Sequence, residues 1–242
     1  MRFAPTGFYD TELQQRFLQH EIVTGRIVDV GDVVILSSNV EKSFDNITKL
    51  TRQLLDQGVT PIAIGGDHAV SYPITRAFTE DIHVIQFDAH MDYASVSDDL
   101  RYTNGQHFRH IGTMPNVKSI TQVGIRSRRT RPAEMADALA KGNQIVTMGK
   151  FCELGAAGVA DLIPAGAKCY VSIDIDALDM SLTPGCVSAE PNGLLYHELR
   201  DTLCALAPRN SIVGFDLVEV NPQLDVGTGI TSYLAAHIKW LW

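Results

Sequence analysis

Short apolar, β-branched runs alternate along this chain with longer stretches in which apolar positions recur every three or four residues. Residues 60–64 (TPIAI), 82–87 (IHVIQF), 119–124 (SITQVG), 144–147 (QIVT), 168–175 (KCYVSIDI) and 211–217 (SIVGFDL) are too short for helices and too continuously apolar for surface strands. They predict strands buried on both faces. Residues 26–29 and 32–36 are weaker versions of the same pattern and are also expected to be strands. The amphipathic stretches at 44–57, 73–79, 132–141, 150–163 and 195–207 predict helices. Strand–helix alternation of this kind predicts an α/β fold, a parallel sheet with helices on both faces in three αβα layers. In such sheets functional groups gather just past the carboxyl ends of the strands.

Those ends carry an unusual concentration of acid and imidazole. The run at 60–64 is followed by Gly65-Gly66-Asp67-His68, the run at 82–87 by Asp88-Ala89-His90-Met91-Asp92, and the run at 168–175 leads to Asp174, Asp176 and Asp179. Left to themselves, so many carboxylates on one rim repel one another and are costly to desolvate. Divalent cations remove the conflict. If extended, Asp88, His90 and Asp92 share one face, as do Asp174 and Asp176. Mixed imidazole and carboxylate ligation suits Mn²⁺, with Zn²⁺, Fe²⁺, Co²⁺ or Ni²⁺ as competitors. More than four ligands imply two ions about 3.5–4 Å apart, an arrangement that activates one bridging water. Each motif alone has an ordinary reading as a turn or a solvated acidic loop; their succession on consecutive strand ends does not.

Composition narrows the setting. At 242 residues, 45% apolar and 20% charged, the chain suits one domain spanning 1–242. No apolar run approaches the ~20 residues of a membrane span, and MRFAPTGFYD lacks the order of a signal peptide. Cys152, Cys169, Cys186 and Cys204 show no paired spacing, so free thiols in a cytoplasmic protein are expected. A net charge of −8 argues against nucleic acid and anionic membrane as partners.

With these motifs in this order, the sequence resembles the ureohydrolase family, which includes arginase, agmatinase, guanidinobutyrase, proclavaminate amidinohydrolase and formimidoylglutamase. The resemblance rests on GGDH at 65–68, DAHxD at 88–92, SxDxD at 172–176 running on to Asp179 and Pro184, and EVNP at 219–222, and it extends over residues 2–236. It implies an arginase-like fold with two Mn²⁺ ions per subunit. One would be held by His68, Asp88, Asp92 and Asp174, the other by His90, Asp88, Asp174 and Asp176, with Asp88 and Asp174 bridging. It further implies attack by a metal-bridging hydroxide on a small guanidino substrate paired with Glu219, and a homotrimer or homohexamer. Asp176 would stabilise the tetrahedral intermediate and carry a proton to the leaving amine. Glu190-Pro191-x-Gly193 is similar to the agmatinase-like form of the pocket loop, which favours agmatine or a comparable guanidino compound and a role in polyamine metabolism. Guanidinobutyrate, formiminoglutamate or guanidine as substrate, and a non-catalytic metal-binding paralogue, are the alternatives.

Three departures stand out. The family's loop histidine falls on Asn104, which cannot titrate and is retained here as a substrate-binding residue; the histidine's proton-carrying role is then dispensed with, moved to His107 or His110, or lost. Residues 2–7 (RFAPTG) look like a segment that normally follows a first strand, and that strand is absent ahead of them. Met180 stands where the family usually has Pro. His83 lies inside a strand and is read as structural.

Overall fold

The computed structural model describes residues 8–11, 14–17, 21, 24–97 and 100–239. Its centre is a six-stranded, wholly parallel sheet ordered β3 (Ile62–Ile64), β8 (Ser211–Val218), β7 (Lys168–Asp174), β4 (Ile82–Phe87), β5 (Val117–Ile125) and β6 (Gln144–Thr147). A separate antiparallel pair joins β1 (Phe8–Asp10) to β2 (Gln15–Phe17). The helices are α1 (Val40–Asp56), α2 (Ser71–Thr75), α3 (His107–Ile111), α4 (Pro132–Ala140), α5 (Met148–Asp161), α6 (Tyr196–Leu206) and α7 (Ile230–Lys239).

Alternation along each central strand feeds two cores, one on each face. Ile85 and Phe87 of β4, with Val171 and Ile173 of β7, pack against Val159 of α5, Leu199 and Leu203 of α6 and Ile238 of α7. Ile82, Val84 and Tyr170 turn the other way, onto Phe44 and Ile47 of α1, Ile74 of α2, Phe108 and Ile111 of α3 and Ala138 of α4. Because β4 and β7 are buried on both faces, their sequences read as continuous apolar runs. This is the three-layer α/β architecture expected. The mid-strand His83 bonds Ser119 across the ladder at 2.7 Å, in keeping with a structural role.

Two expected strands do not form. Residues 26–29 and 32–36 carry the apolar pattern but join no ladder among the described residues, and Val28 and Val34 are 68% and 69% exposed. A strand exists through its ladder, and β3 closes the described sheet on that side with its own Ile62 and Ile64 exposed. The RFAPTG segment at 2–7 lies outside the described residues. Helix α1 starts at Val40, where Asn39 caps it by accepting from the Lys42 amide, and α2 is confined to Ser71–Thr75. No described helix is long and apolar enough to cross a membrane. All four cysteines are free.

Candidate metal centre

β3, β4, β7 and β8 are neighbours, so residues widely separated in sequence meet past their carboxyl ends. His68 begins a 3-10 turn after β3, Asp88–Asp92 follow β4, Asp174 ends β7 with Asp176 in the 3-10 turn Ile175–Ala177, and Glu219 follows β8. His68, Asp88, Asp174 and Asp176 are almost wholly buried.

The Nδ1 atom of His68 has three carboxylate oxygens around it: Asp88 Oδ2 at 2.9 Å, Asp92 Oδ2 at 3.1 Å and Asp174 Oδ2 at 3.3 Å. None of these contacts has hydrogen-bond geometry, and Nδ1 is left without a partner. The atoms gather about a common point instead of bonding to one another, as ligands of a cation do. A second group forms next to it, where His90 Nδ1 lies 3.0 Å from Asp176 Oδ2 and 3.4 Å from Asp88 Oδ1. Asp88 therefore turns one oxygen to each histidine. These donors are hard carboxylates and imidazoles, so the residues present fit a pair of divalent cations.

The surrounding bonds hold this arrangement. Ser172 donates to Asp216 Oδ1 at 2.7 Å, which leaves its oxygen to accept from His68 Nε2 at 2.8 Å. Nε2 is thereby committed as a donor, and Nδ1 is the nitrogen that faces the carboxylates. Gln122 donates to Gln86, and Gln86 donates to Asp88 Oδ2, each at 2.6 Å. Backbone amides take the outer oxygens, Ala89 to Asp176 Oδ1 at 2.9 Å and Asp176 to Asp174 Oδ1 at 2.8 Å. Gly124 sits at a bulge in β5 with φ +98, where an added Cβ would lie 3.0 Å from the Asp88 carbonyl oxygen.

The electrostatics describe a site that wants positive charge. Burial alone would push both imidazoles down, but their carboxylate neighbours outweigh it, holding His68 well above its usual range and His90 at about 11. Burial, then the Asp88 charge, lifts Asp92 to about 7. Burial likewise raises Asp174 and Asp176. Cys186, expected only as a free thiol, neighbours these two acids and is pushed by burial to about 12, so it stays a thiol.

The extended geometry expected of these motifs is not what aligns them. Asp92 adopts φ +47 and Asp176 lies in a 3-10 turn, so local turns perform the alignment. Two acids of the strand-end motifs stay out of the cluster. Asp67 is exposed and caps Ala69 at 3.2 Å, while Asp179 takes bonds from the Ser181 and Gly193 amides.

A cleft of about 660 Å³ opens over the cluster, lined among others by His90, Asp92, Asp174, Asn104 and Glu219. Glu219 holds a left-handed backbone, φ +63, which a residue with a Cβ adopts at a cost of about 1–3 kcal/mol. Its Oε1 accepts from the His68 amide at 2.9 Å and from Asn104 Nδ2 at 3.3 Å. Among the described residues its Oε2 accepts nothing. His107 is not among the cleft-lining residues. It is 2% exposed, its ring lies 4.3 Å from that of His68, and its Nδ1 donates to the Asn104 carbonyl at 2.6 Å. His110 meets the Arg101 carbonyl and stacks near Tyr72 and Tyr102. Arg126, unremarked in the sequence, donates to the carbonyls of Gly124, Asp176, Ala177, Leu178, Glu190 and Pro191, tying β5 to both ends of the 176–191 loop.

Comparison with known proteins agrees with this geometry. A profile of the arginase family matches residues 1–241. Proclavaminate amidinohydrolase of Streptomyces clavuligerus is 35% identical over 219 residues, 87% of this chain and 69% of that protein. An agmatinase of Bacillus anthracis is 31% identical over 234 residues, 93% and 78% of the two chains. The crystal structure of formimidoylglutamase from Bacillus subtilis superposes with a TM-score of 0.84 at 30% identity, covering 96% of this chain and 74% of that one.

Proposed function

The chain belongs to the arginase family of hydrolases, which act on guanidino and amidino C–N bonds, and on that premise we propose that it releases urea and an amine from a small linear guanidino compound. The observation that carries this reading is the division of Asp88 between two histidines, beneath a cleft that also presents Glu219. One cation would be held by His68, Asp88, Asp92 and Asp174, and the other by His90, Asp88, Asp174 and Asp176. Mn²⁺ is the first candidate for both. Once bound, the ions supply the Lewis acidity that makes a water molecule a competent nucleophile near neutral pH.

The chain's own groups do the rest. Glu219, with Oε1 held by His68 and Asn104, offers Oε2 to a guanidinium N–H, and a planar cation with several donors suits a fixed carboxylate. Fixing the guanidinium there presents its carbon to the cluster. Asp176, buried at the cluster with Oδ2 3.0 Å from His90 Nδ1, is the group placed to move a proton from the attacking water to the departing nitrogen. Asn104 steadies Glu219 and borders the substrate. His107, buried behind His68, acts by positioning: it supports the His68 ring and ties down the Asn104 carbonyl.

Relatives of this chain are named for proclavaminate, agmatine and formimidoylglutamate, so the substrate is sought among guanidino and formimino compounds of that size. The test is urea or formamide release from agmatine, 4-guanidinobutyrate, arginine, guanidine and formiminoglutamate, with Mn²⁺ and Ni²⁺ supplied separately. Stoichiometric binding of two ions without turnover of any of these compounds overturns the proposal.

A further inference from the structure

The cleft also carries charge of the opposite sign. Its lining includes the acids Asp92, Asp174 and Glu219 and, with them, Arg129 and Arg131. Their side chains are 69% and 79% exposed. Two acids stand near them. Glu190 approaches Arg129 Nε at 3.9 Å and Glu134 approaches Arg131 Nε at 3.9 Å. Both acids are engaged elsewhere, Glu190 accepting from the Ser127 hydroxyl at 2.9 Å and Glu134 from the Arg131 backbone amide at 3.2 Å. Among the described residues neither guanidinium donates a hydrogen bond.

Arg131 is also misplaced for helix stability. It occupies the N-cap of α4, ahead of Pro132, with an extended backbone. That position favours Ser, Thr, Asp or Asn, and a cation there opposes the helix dipole. In a chain of net charge −8, these two exposed guanidiniums, each no nearer than 3.9 Å to a carboxylate oxygen, form a local anion-seeking rim of the cleft. The lining also includes Leu100 and Val187, both exposed, which suit a short methylene chain.

Resting on the hydrolase reading above, we infer that the substrate is an ω-guanidino acid, whose guanidinium meets Glu219 and whose distal carboxylate is received by Arg129 and Arg131. The far ammonium of agmatine would meet two positive charges at that rim. The two ends of the substrate thus differ in sign, and the cleft differs in sign to match. A guanidinium–carboxylate contact of this kind permits paired, parallel hydrogen bonds, so the carboxylate is recognised by geometry as well as charge.

The experiment compares 4-guanidinobutyrate with agmatine, which have the same guanidino end, similar length and opposite distal charge. With the Mn²⁺-loaded protein, kcat/KM for the acid should exceed that for the amine by at least ~10-fold, mainly through KM. In the R129Q/R131Q double variant that ratio should fall to within about threefold of one. Equal use of the two compounds, or preference for agmatine, by the native protein overturns the inference while leaving the hydrolase reading intact. If neither compound is turned over, the hydrolase reading fails first, and calorimetric titration then reads the rim alone. Binding of the acid over the amine, lost in R129Q/R131Q, upholds the rim assignment; equal or absent binding overturns it.

Discussion

Asn104 reaches across the mouth of the cleft to Glu219, donating its side-chain amide to Oε1 at 3.3 Å. The Asn is thus bonded to the carboxylate proposed to hold the substrate. A side chain that cannot titrate still serves there, because steadying Glu219 needs a donor and not a proton carrier.

Replacing Glu219 by Gln keeps the shape and removes the charge. We expect kcat/KM to fall by about 2–4 kcal/mol, roughly 30- to 1000-fold, with metal content by elemental analysis unchanged. Kinetics like those of the native protein would put the guanidinium elsewhere.

Asn104→Asp sets a second carboxylate beside Glu219 in place of a donor. Repulsion should displace Oε2, and kcat/KM should drop at least ~10-fold, while Asn104→His, which keeps a donor, stays within about threefold of native. Steady-state kinetics on all three proteins decides it. Native-like activity in Asn104→Asp would show that the bond has no part in catalysis.

Metal stoichiometry separates a shared ligand from an unshared one. Asp88 turns its two oxygens to two different histidines, so Asp88→Ala should empty both positions. His68→Ala should weaken chiefly one. Elemental analysis after dialysis reads the difference, and one ion retained at full occupancy in Asp88→Ala would refute the sharing.

Stability should depend on pH in opposite senses with and without metal. In the metal-free protein the carboxylates around His90 hold it at about 11, against burial, so the folded state keeps a proton that the unfolded chain sheds near 6.5. That contribution is complete below about pH 6.5 and is lost as pH rises toward 11. Asp92, raised to about 7, adds a loss between about pH 4 and 7. Divalent metal displaces these protons, so the increase in Tm on adding Mn²⁺ should grow with pH from 6 to 8. A metal-induced increase that shrinks over that range contradicts the account.

Arg126→Lys replaces a planar fork that serves six carbonyls with one ammonium. An ammonium with three donors cannot span that cage. The expected loss is about 2–4 kcal/mol, a Tm lower by roughly 5–10 °C. An unchanged thermal melt would mean the loop is held by other means.

Much of this was legible because burial on two faces leaves a plain mark. The span of β4 follows from its mainly apolar run, since neither of its faces meets solvent to any extent. Residues 26–29 and 32–36 show the limit of the same signal: the pattern is present, but pairing depends on a neighbour that the pattern does not name. Spacing alone showed the acids of the strand ends as a group, and only the resemblance separated the expected ligands from Asp67 and Asp179. That separation depends on single turns, such as the one that commits Asp179 to Ser181 and Gly193. Arg126 left no trace, because its partners are main-chain carbonyls up to 65 residues away. The placement of His107 was likewise out of reach, since a five-residue helix carries too little periodicity to say which side it buries.

Strand order has a temporal side. The described sheet holds β3 only through β8, so His68, the first of the clustered side chains along the chain, is fixed in place by the last strand. A nascent chain that has reached Asp176, just past β7, already owns every carboxylate of the cluster but has no ladder partner to seat the first imidazole. The position built on His68 is therefore completed only after residue 218, and a cation held there would add to the stability of the finished sheet without guiding its early assembly.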